Sequence, residues 1–481
     1  MSFIESLFDL IVGILGGIIK FLFEFIGEII TGIPKRKKEH SAHFSPAWEL
    51  MSFSQKGFCL NGKSCISVKT SYTGALIVGG TGAGKSSTVI IPTIFKTTGT
   101  KIINDPSSEL YIRTSSALRH YKNYDIKRLN FADPSVSSAY NPLTRANTSS
   151  EIQKVSSLLV SNSLGNNPKD PFWNTQSVAA IAMAITLLKR IGKKEYINLY
   201  NVRNLLNQMG GSAEKVDALF SKFADEVLFN EYKSFLSYDP KLVSNIIATC
   251  KAALQIFSDE AVARVTSYDD INMEDFRKKP TALYINNSIS ESRYYAIITS
   301  LFMEQLFSYI LSRFPAKGEQ DIFFLIDEMG SLRLPTLPLI AANIRKHSGG
   351  IMALVQDYSA VIHNFGAYEA ATIKANLNAK LFFTGASNEV STEISKTLGR
   401  YQYEDGKGRT IIRDLMTPDE VRMLNPHRGI LIMGHHAPVY ARLHPYYKNA
   451  KQRRWSEMPP VKLGSKIPET VPLLDLDNLD A

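Results

Sequence analysis

Gly79-Gly80-Thr81-Gly82-Ala83-Gly84-Lys85-Ser86 places glycines, one lysine and one hydroxyl at the spacing G-x4-G-K-[ST]. Glycines let backbone N–H groups curl around phosphate oxygens, and the positive end of a following helix adds to the attraction. Lys85 is suited to neutralise β- and γ-phosphates, and the Ser86 hydroxyl to hold Mg2+, with Ser87 completing the cradle. The apolar run Ala75-Leu76-Ile77-Val78 precedes the loop as a strand, and Thr88–Ile94 follows as the opening of a helix. That context separates a working phosphate loop from a chance match. ATP with Mg2+ is the expected cofactor pair.

A phosphate loop needs a carboxylate at the end of a nearby strand. Ile322-Phe323-Phe324-Leu325-Ile326-Asp327-Glu328 supplies two. Asp327 is suited to bind Mg2+ through water, and Glu328 to polarise the attacking water. Asp-Glu also ends strands where no chemistry is involved, and the phosphate loop is what gives this pair its meaning. Asp105 and Gln356 each follow an apolar run directly. Gln356 is placed to reach the γ-phosphate or its attacking water; the alternative is an amide satisfying loop backbone. His435-His436 with His444, and Cys59 with Cys65, have metal-ligand residue types without companions at ligand spacing, so turns and packing are the simpler reading.

These residues must be positioned by a sheet. Thr100–Ile103, Ile126–Phe131, Ala282–Ile285, Gly350–Val355, Lys380–Phe383 and Gly429–Met433 read as its further strands. Several alternate with helical patterns, which predicts an α/β fold with a mainly parallel sheet and helices on both faces. Ligands of such sheets sit beyond the C-terminal strand ends. From about residue 160 to 275 no strand pattern appears, while Val178–Ile191, Ser212–Ala224 and Leu242–Phe257 read as helices.

The 481 residues carry 55 Lys+Arg against 45 Asp+Glu, a net charge of +10, with 44% apolar and 21% charged residues. That length predicts about two to four domains, and the balance excludes a disordered or collagen-like chain. Three cysteines are an odd number and too few for a disulfide framework, so a reduced, cytosolic body is expected.

The charge is uneven. Residues 1–33 hold Glu5, Asp9, Glu24 and Glu28 against Lys20, a net −3, leaving +13 for the rest. Phe, Ile and Leu dominate residues 2–31, and Pro34-Lys35-Arg36-Lys37-Lys38 follows. The charges fall on one arc of roughly 140° on a helical wheel. The longest uncharged stretch, Leu10–Ile19, is half the roughly 20 residues a spanning helix needs. A helix lying in the membrane interface is the favoured expectation. A spanning helix whose polar stripe faces identical neighbours, or a helix docked on the protein's own core, are the alternatives. The basic cluster follows the apolar run, which argues against a secretory signal and marks the cytoplasmic side under either membrane reading.

Further motifs complete an ordered series: Asn104-Asp105-Pro106-Ser107-Ser108-Glu109-Leu110, Tyr140-Asn141-Pro142-Leu143, Asp170-Pro171-Phe172-Trp173, the Asp327-Glu328 strand, and Leu337 to Gln356 containing Arg345. The series resembles the type IV coupling proteins, the hexameric ATPases of bacterial conjugation and type IV secretion, over about residues 70–445. The resemblance implies a RecA-like P-loop NTPase domain at 34–160 and 276–450, interrupted by an all-α domain at 161–275. An N-terminal membrane-associated helix at 1–33 and a C-terminal tail at 451–481 flank it. It also implies a homo-hexamer at the bacterial inner membrane, with ATP bound between subunits and a neighbour's arginine completing each site. Arg345, eleven residues before Gln356, matches that arginine; otherwise it is a surface residue of a helix. An arginine supplied in trans stabilises charge on the transferred phosphoryl group.

Two departures stand out. The family usually has Lys-Gly where this chain has Ser107-Ser108. It usually also has clear spanning helices and a periplasmic segment where this chain has one amphipathic run.

The implied function is ATP-driven recruitment of a DNA–relaxase substrate and transfer of the DNA through a type IV secretion channel. No helix-turn-helix, zinc-finger or single-strand-binding signature appears, so the DNA is not read by sequence. A +13 body suits holding phosphates without reading bases. Lys374, Lys380 and Lys396 are candidates for a channel lining and equally for a solvated face. Two rival readings remain. One is a docking receptor in which nucleotide only stabilises the ring. The other is a septal DNA translocase of the chromosome-partitioning kind, whose expected winged-helix reader the tail leaves no room for. That tail, from Lys451-Gln452-Arg453-Arg454 to Asp475, Asp477 and Asp480, reads as an extended segment suited to docking a partner.

Overall fold

Strands form where the apolar runs place them. A computed structural model describes residues 40–165, 171–209, 213–286 and 289–476. The expected membrane helix, its basic cluster, Asp170, Asp477 and Asp480 lie outside the described residues. The strands are β1 (Ala75–Val78), β2 (Thr100–Asn104), β3 (Asp125–Leu129), β4 (Thr281–Ile285), β5 (Ile322–Ile326), β6 (Gly349–Val355), β7 (Ala379–Phe382), β8 (Arg400–Glu404), β9 (Thr410–Asp414), β10 (Arg428–Met433) and β11 (Val439–Arg442).

Contacts divide the chain into two units: residues up to His43 with Lys396–Leu415, and Phe44–Ser395 with Met416–Ala481. In the larger, nine strands form one sheet in the order β11-β10-β7-β1-β6-β5-β2-β4-β3. From β7 to β3 every pairing is parallel, and β10 and β11 run antiparallel at one edge. The expected α/β class with a mainly parallel sheet is therefore present. All six further expected strands occur, each within two residues of its expected ends. β8, β9 and β11 were not anticipated.

The central strands are apolar throughout because both faces are covered. Successive side chains point to opposite faces, and β5 shows the consequence. Phe323 packs against Phe58 and Tyr72, with ring centroids 5.3 and 6.1 Å away. Phe324 meets Phe307 of the helix Ser292–Ser312 on the other side, at 4.9 Å. Each fully buried ring contributes about 1.5–3 kcal/mol relative to exposure.

Between β3 and β4 the described residues contain helices and no strand. The expected helices appear as Phe172–Ile191, Ala213–Phe223 and Pro240–Ala253. Start signals are explicit. Thr148 and Glu151 form a capping box, and Asp225, Asp239 and Asp259 each accept a backbone N–H at an N-terminus.

The segment expected as an extended tail is extended but not loose. Tyr111 donates through its hydroxyl to the Val461 carbonyl, Arg264 Nε to the Pro468 carbonyl and Tyr268 Oη to the Thr470 carbonyl. Asn201 brackets the far end, donating to Pro472 O and accepting from Leu474 N. Leu474 is 2% exposed. Up to that residue the segment is fastened at these points to the protein's own surface.

The smaller unit's described part is the β8–β9 hairpin with residues 40–43. Its turn, Asp405-Gly406-Lys407-Gly408-Arg409, lets the Asp405 carboxylate accept from the backbone N–H groups of Lys407 and Arg409.

Candidate functional site

Parallel pairing delivers four functional segments to one edge of the sheet. β1, β6, β5 and β2 lie side by side, and their C-terminal ends lead into the phosphate loop, Gln356, Asp327-Glu328 and Asp105 respectively. Register sets the levels: Val78 pairs with Val355 and Asn104 with Ile326. Neighbouring strands are about 4.8 Å apart, so the phosphate loop and Asp105 converge with Asp327-Glu328 and Gln356, which lie more than 200 positions further along the sequence.

The loop after β1 requires its glycines. Gly82 and Gly84 sit at φ 76° and 87°, where a side chain would be strained. A Cβ on Gly79 would lie 2.6 Å from the Phe383 side chain. Ser86–Ile90 then makes a π-helical turn that passes into the α-helix Ile91–Lys96. Pro92 supplies a physical reason: proline has no N–H and crowds the carbonyl four residues earlier.

Lys85 folds over its own loop, Nζ donating to the carbonyls of Gly79 (2.6 Å) and Gly80 (3.0 Å). Burial pushes its pKa down, and the charges of Asp327 and Glu328 oppose that. Ser86 Oγ lies 3.5 Å from Asp327 Oδ2. Thr81 Oγ1 donates to Gln356 Oε1 (3.2 Å), and Gln356 Nε2 lies 3.4 Å from Glu328 Oε1. Loop, acidic pair and glutamine therefore form one connected set.

Glu328 carries a further signal. Its backbone is left-handed, at φ 56° and ψ 55°. For a residue other than glycine this costs about 1–3 kcal/mol, and such strain clusters at functional sites.

Asn104, at the end of β2, fixes the strand end. Its side chain donates to the Asp327 carbonyl (2.9 Å), and its carbonyl accepts the Asp327 N–H (3.3 Å). Beside it Asp105 is wholly buried and accepts from Tyr111 N (2.8 Å), Leu110 N (3.2 Å) and Ser107 Oγ (3.3 Å). Ser108, at the family's usual glycine position, takes φ 61°, the backbone shape that glycine adopts without cost.

Burial holds Asp105 up at about 7, against those hydrogen bonds. Burial and then the charge of Glu328 hold Asp327 up at about 6, against Lys85. Both values lie above the ordinary 3.8. The folded state therefore binds these protons more tightly, and the stability they contribute is present below about pH 4 and lost as pH rises through 6 to 7. Thermal unfolding of the free protein should fall in midpoint from pH 5 to pH 7.5, and Asp105→Asn should flatten that slope. An unchanged slope would contradict the assignment.

Arg345 is not brought to this set. It is exposed in the turn Ile344–His347, before β6 begins, whereas Gln356 follows the end of β6. Seven strand residues at about 3.3 Å each put it roughly 20 Å from its own chain's site. Among the channel candidates, Lys374 is committed to Glu393 at 2.8 Å and lies over the Tyr358 ring, and Lys380 is half-buried on β7. His435 and His436 stack in the turn after β10. No group of three or more His, Cys, Asp or Glu among the described residues could hold a metal ion.

The family model for type IV secretory system conjugative DNA transfer matches residues 27–469. The chain belongs to this family. A VirD4 protein of Rhizobium radiobacter is 24% identical over 431 residues, covering 83% of this chain and 60% of the relative. VirD4 of Rhizobium rhizogenes is 25% identical over 428 residues, covering 83% and 62%. The chain thus spans about 60% of the length of these relatives.

Solved coupling proteins share the fold. The conjugative coupling protein TrwBdeltaN70, in complex with sulphate, superposes with a TM-score of 0.69 at 15% identity, covering 86% of this chain and 96% of that one. TrwB in complex with ADP and Mg2+ gives 0.67 at 15% identity, covering 91% and 98%. For this member of the conjugative DNA-transfer family, a RecA-like architecture accounts for the order of motifs along the sheet edge.

Proposed function

We propose that the protein is an ATP-driven coupling protein that recruits a DNA–relaxase substrate and drives the DNA through a type IV secretion channel. One observation carries the reading: the phosphate loop, Asp327, Glu328 and Gln356 meet at adjacent parallel strand ends, while Arg345 lies at the opposite end of β6. One side of a subunit then offers a nucleotide site that its own Arg345 does not reach, and the other offers that arginine. A ring in which each subunit supplies Arg345 to its neighbour satisfies both, and a homo-hexamer is the family's form of such a ring.

The residues fit ATP and Mg2+. Gly82 and Gly84 have the backbone freedom the loop needs, the Lys85 ammonium rests on carbonyls that a triphosphate would replace, and Ser86 with Asp327 makes a hydroxyl–carboxylate pair of the kind Mg2+ takes. Bound Mg2+ would neutralise charge on the β- and γ-phosphates. Residues 79–87 cradle the phosphates, Glu328 takes a proton from the attacking water, and Gln356 holds that water in line. Arg345 of the adjacent subunit stabilises charge leaving the γ-phosphate. Residues 34–160 and 276–450 act as the motor, 161–275 as its all-α domain. The run 1–33 attaches the body to the cytoplasmic face of the inner membrane. No helix of the described residues is long and apolar enough to cross a membrane, and the interfacial reading of that run needs none.

The test is ATP turnover with and without DNA. Wild-type protein should be stimulated by DNA of unrelated sequences alike, and Lys85→Ala should lose at least about 10²-fold at saturating DNA, the loss typical of removing one charge-stabilising donor. Turnover indifferent to DNA would sink the motor reading.

A further inference from the structure

The hairpin of the smaller unit has an unexplained surface and a direction. Residues 40–42 pair with β8: Ala42 N donates to Arg400 O (3.0 Å), Gln402 N to His40 O (3.1 Å), and His40 N to Gln402 Oε1 (3.2 Å). The bridge between Ser41 and Tyr401 is antiparallel. Stepping back from Ala42 to His40 therefore moves from Arg400 towards Gln402 and the turn at 405–409. His40, the first described residue, therefore lies nearer the turn than Ala42. Just upstream in sequence lie Pro34-Lys35-Arg36-Lys37-Lys38 and the amphipathic run 2–31. Lys38 is two residues from His40, at most about 7 Å of chain.

That end of the hairpin is unusual for a solvated loop. Register puts Tyr401 opposite Arg413 and Tyr403 opposite Ile411, so these four share one face. The two tyrosine rings stack at 5.7 Å. Tyr403, Ile411 and Ile412 are all exposed, at 40%, 36% and 49%, and Ile411 and Ile412 point to opposite faces. Near the turn, Glu404, Asp405, Lys407 and Arg409 are the charged groups. Asp405 is taken up within the turn, paired with Arg409 Nε at 3.1 Å. Further along, Arg400 pairs with Asp414 at 3.0 Å. Glu404 and Lys407 remain near the tip, and the excess of positive charge comes from the upstream Lys35-Arg36-Lys37-Lys38. Tyrosine and basic residues around exposed aliphatics are the composition of a membrane–water interface, and an anionic leaflet attracts the cations.

We propose that this hairpin is a second membrane contact, with Tyr403, Ile411 and Ile412 entering the headgroup region of an anionic leaflet beside the anchoring run. The proposal rests on the membrane association of residues 1–33 given above. Attachment through two sites would hold this unit on the membrane more firmly than the anchoring run alone.

The test uses the full chain with Lys407→Cys carrying a nitrobenzoxadiazole fluorophore. The three native cysteines are buried, and labelled wild type serves as control. Vesicles of phosphatidylethanolamine and phosphatidylglycerol contain a lipid quencher at headgroup depth. The expected result is a blue-shifted emission that the quencher reduces. Tyr403→Asp with Ile411→Asp in the labelled chain should abolish the quenching and lower vesicle partitioning about tenfold, with ATP turnover as the control for folding. Sedimentation with vesicles and no quenching would overturn the hairpin contact and leave the anchor intact. Failure to sediment would overturn both. A blue shift without vesicles that grows with protein concentration would show a second copy covering the face, and would overturn the lipid contact.

Discussion

Arg345→Ala should lower ATP turnover of the assembled protein by about 10³-fold or more, the worth of an arginine supplied to a phosphoryl transfer, while nucleotide affinity changes little. The expectation follows from position. Arg345 and Gln356 bracket β6, so the arginine cannot reach its own chain's phosphate loop without unravelling a strand that is buried along its whole length. The exposed arginine also makes no ion pair with a described residue, so its removal leaves no buried charge uncompensated and the fold should be unaffected.

Mixing decides the point. Lys85→Ala and Arg345→Ala protomers are each inactive alone. Rings assembled from both contain interfaces where an intact Lys85 faces an intact Arg345, and turnover should partly return. Mixtures as inactive as their components would contradict supply in trans, and wild-type turnover by Arg345→Ala alone would remove the residue from the mechanism.

That the proposed nucleotide-site residues lie together was legible in the sequence because each member is tied to a local pattern. The phosphate loop has its own spacing, and Asp327, Glu328 and Gln356 each follow an apolar run at a strand end. What the sequence could not show is what connects them. Asn104 clamps the Asp327 backbone through a single side-chain hydrogen bond, and a strand-end asparagine has no pattern that announces such a role. The left-handed backbone at Ser108 and Glu328 is equally silent, since neither is a glycine. The hairpin differs: Tyr-Gln-Tyr and Thr-Ile-Ile on either side of Asp-Gly-Lys-Gly are β-prone runs around a turn, a strand–turn–strand signal in the sequence. The tail is extended as its composition predicts, but proline with scattered acids gives no sign of its fastening. Its fastening depends on Asn201, Arg264 and Tyr268, which are distant in sequence.

Glu328→Gln should lower turnover by about 10²–10⁴-fold, the range for loss of a general base, and leave nucleotide binding intact. The amide keeps the side chain's size and its approach to Gln356 but cannot accept the proton from water. In cells, the same variant separates the motor from a docking receptor: DNA transfer should stop. Transfer continuing at the wild-type level with turnover abolished would show that nucleotide only stabilises the assembly and that another ATPase does the pumping. Glu328→Gly makes the backbone argument testable in the same protein. Glycine takes φ 56° freely, so this variant should unfold later than wild type, by up to about 1–3 kcal/mol, while losing turnover at least as severely. Stability and activity moving in opposite directions would mark the left-handed backbone as a conformation maintained for the carboxylate it aims. A destabilised Glu328→Gly would show that the side chain's contact with Gln356 outweighs the strain.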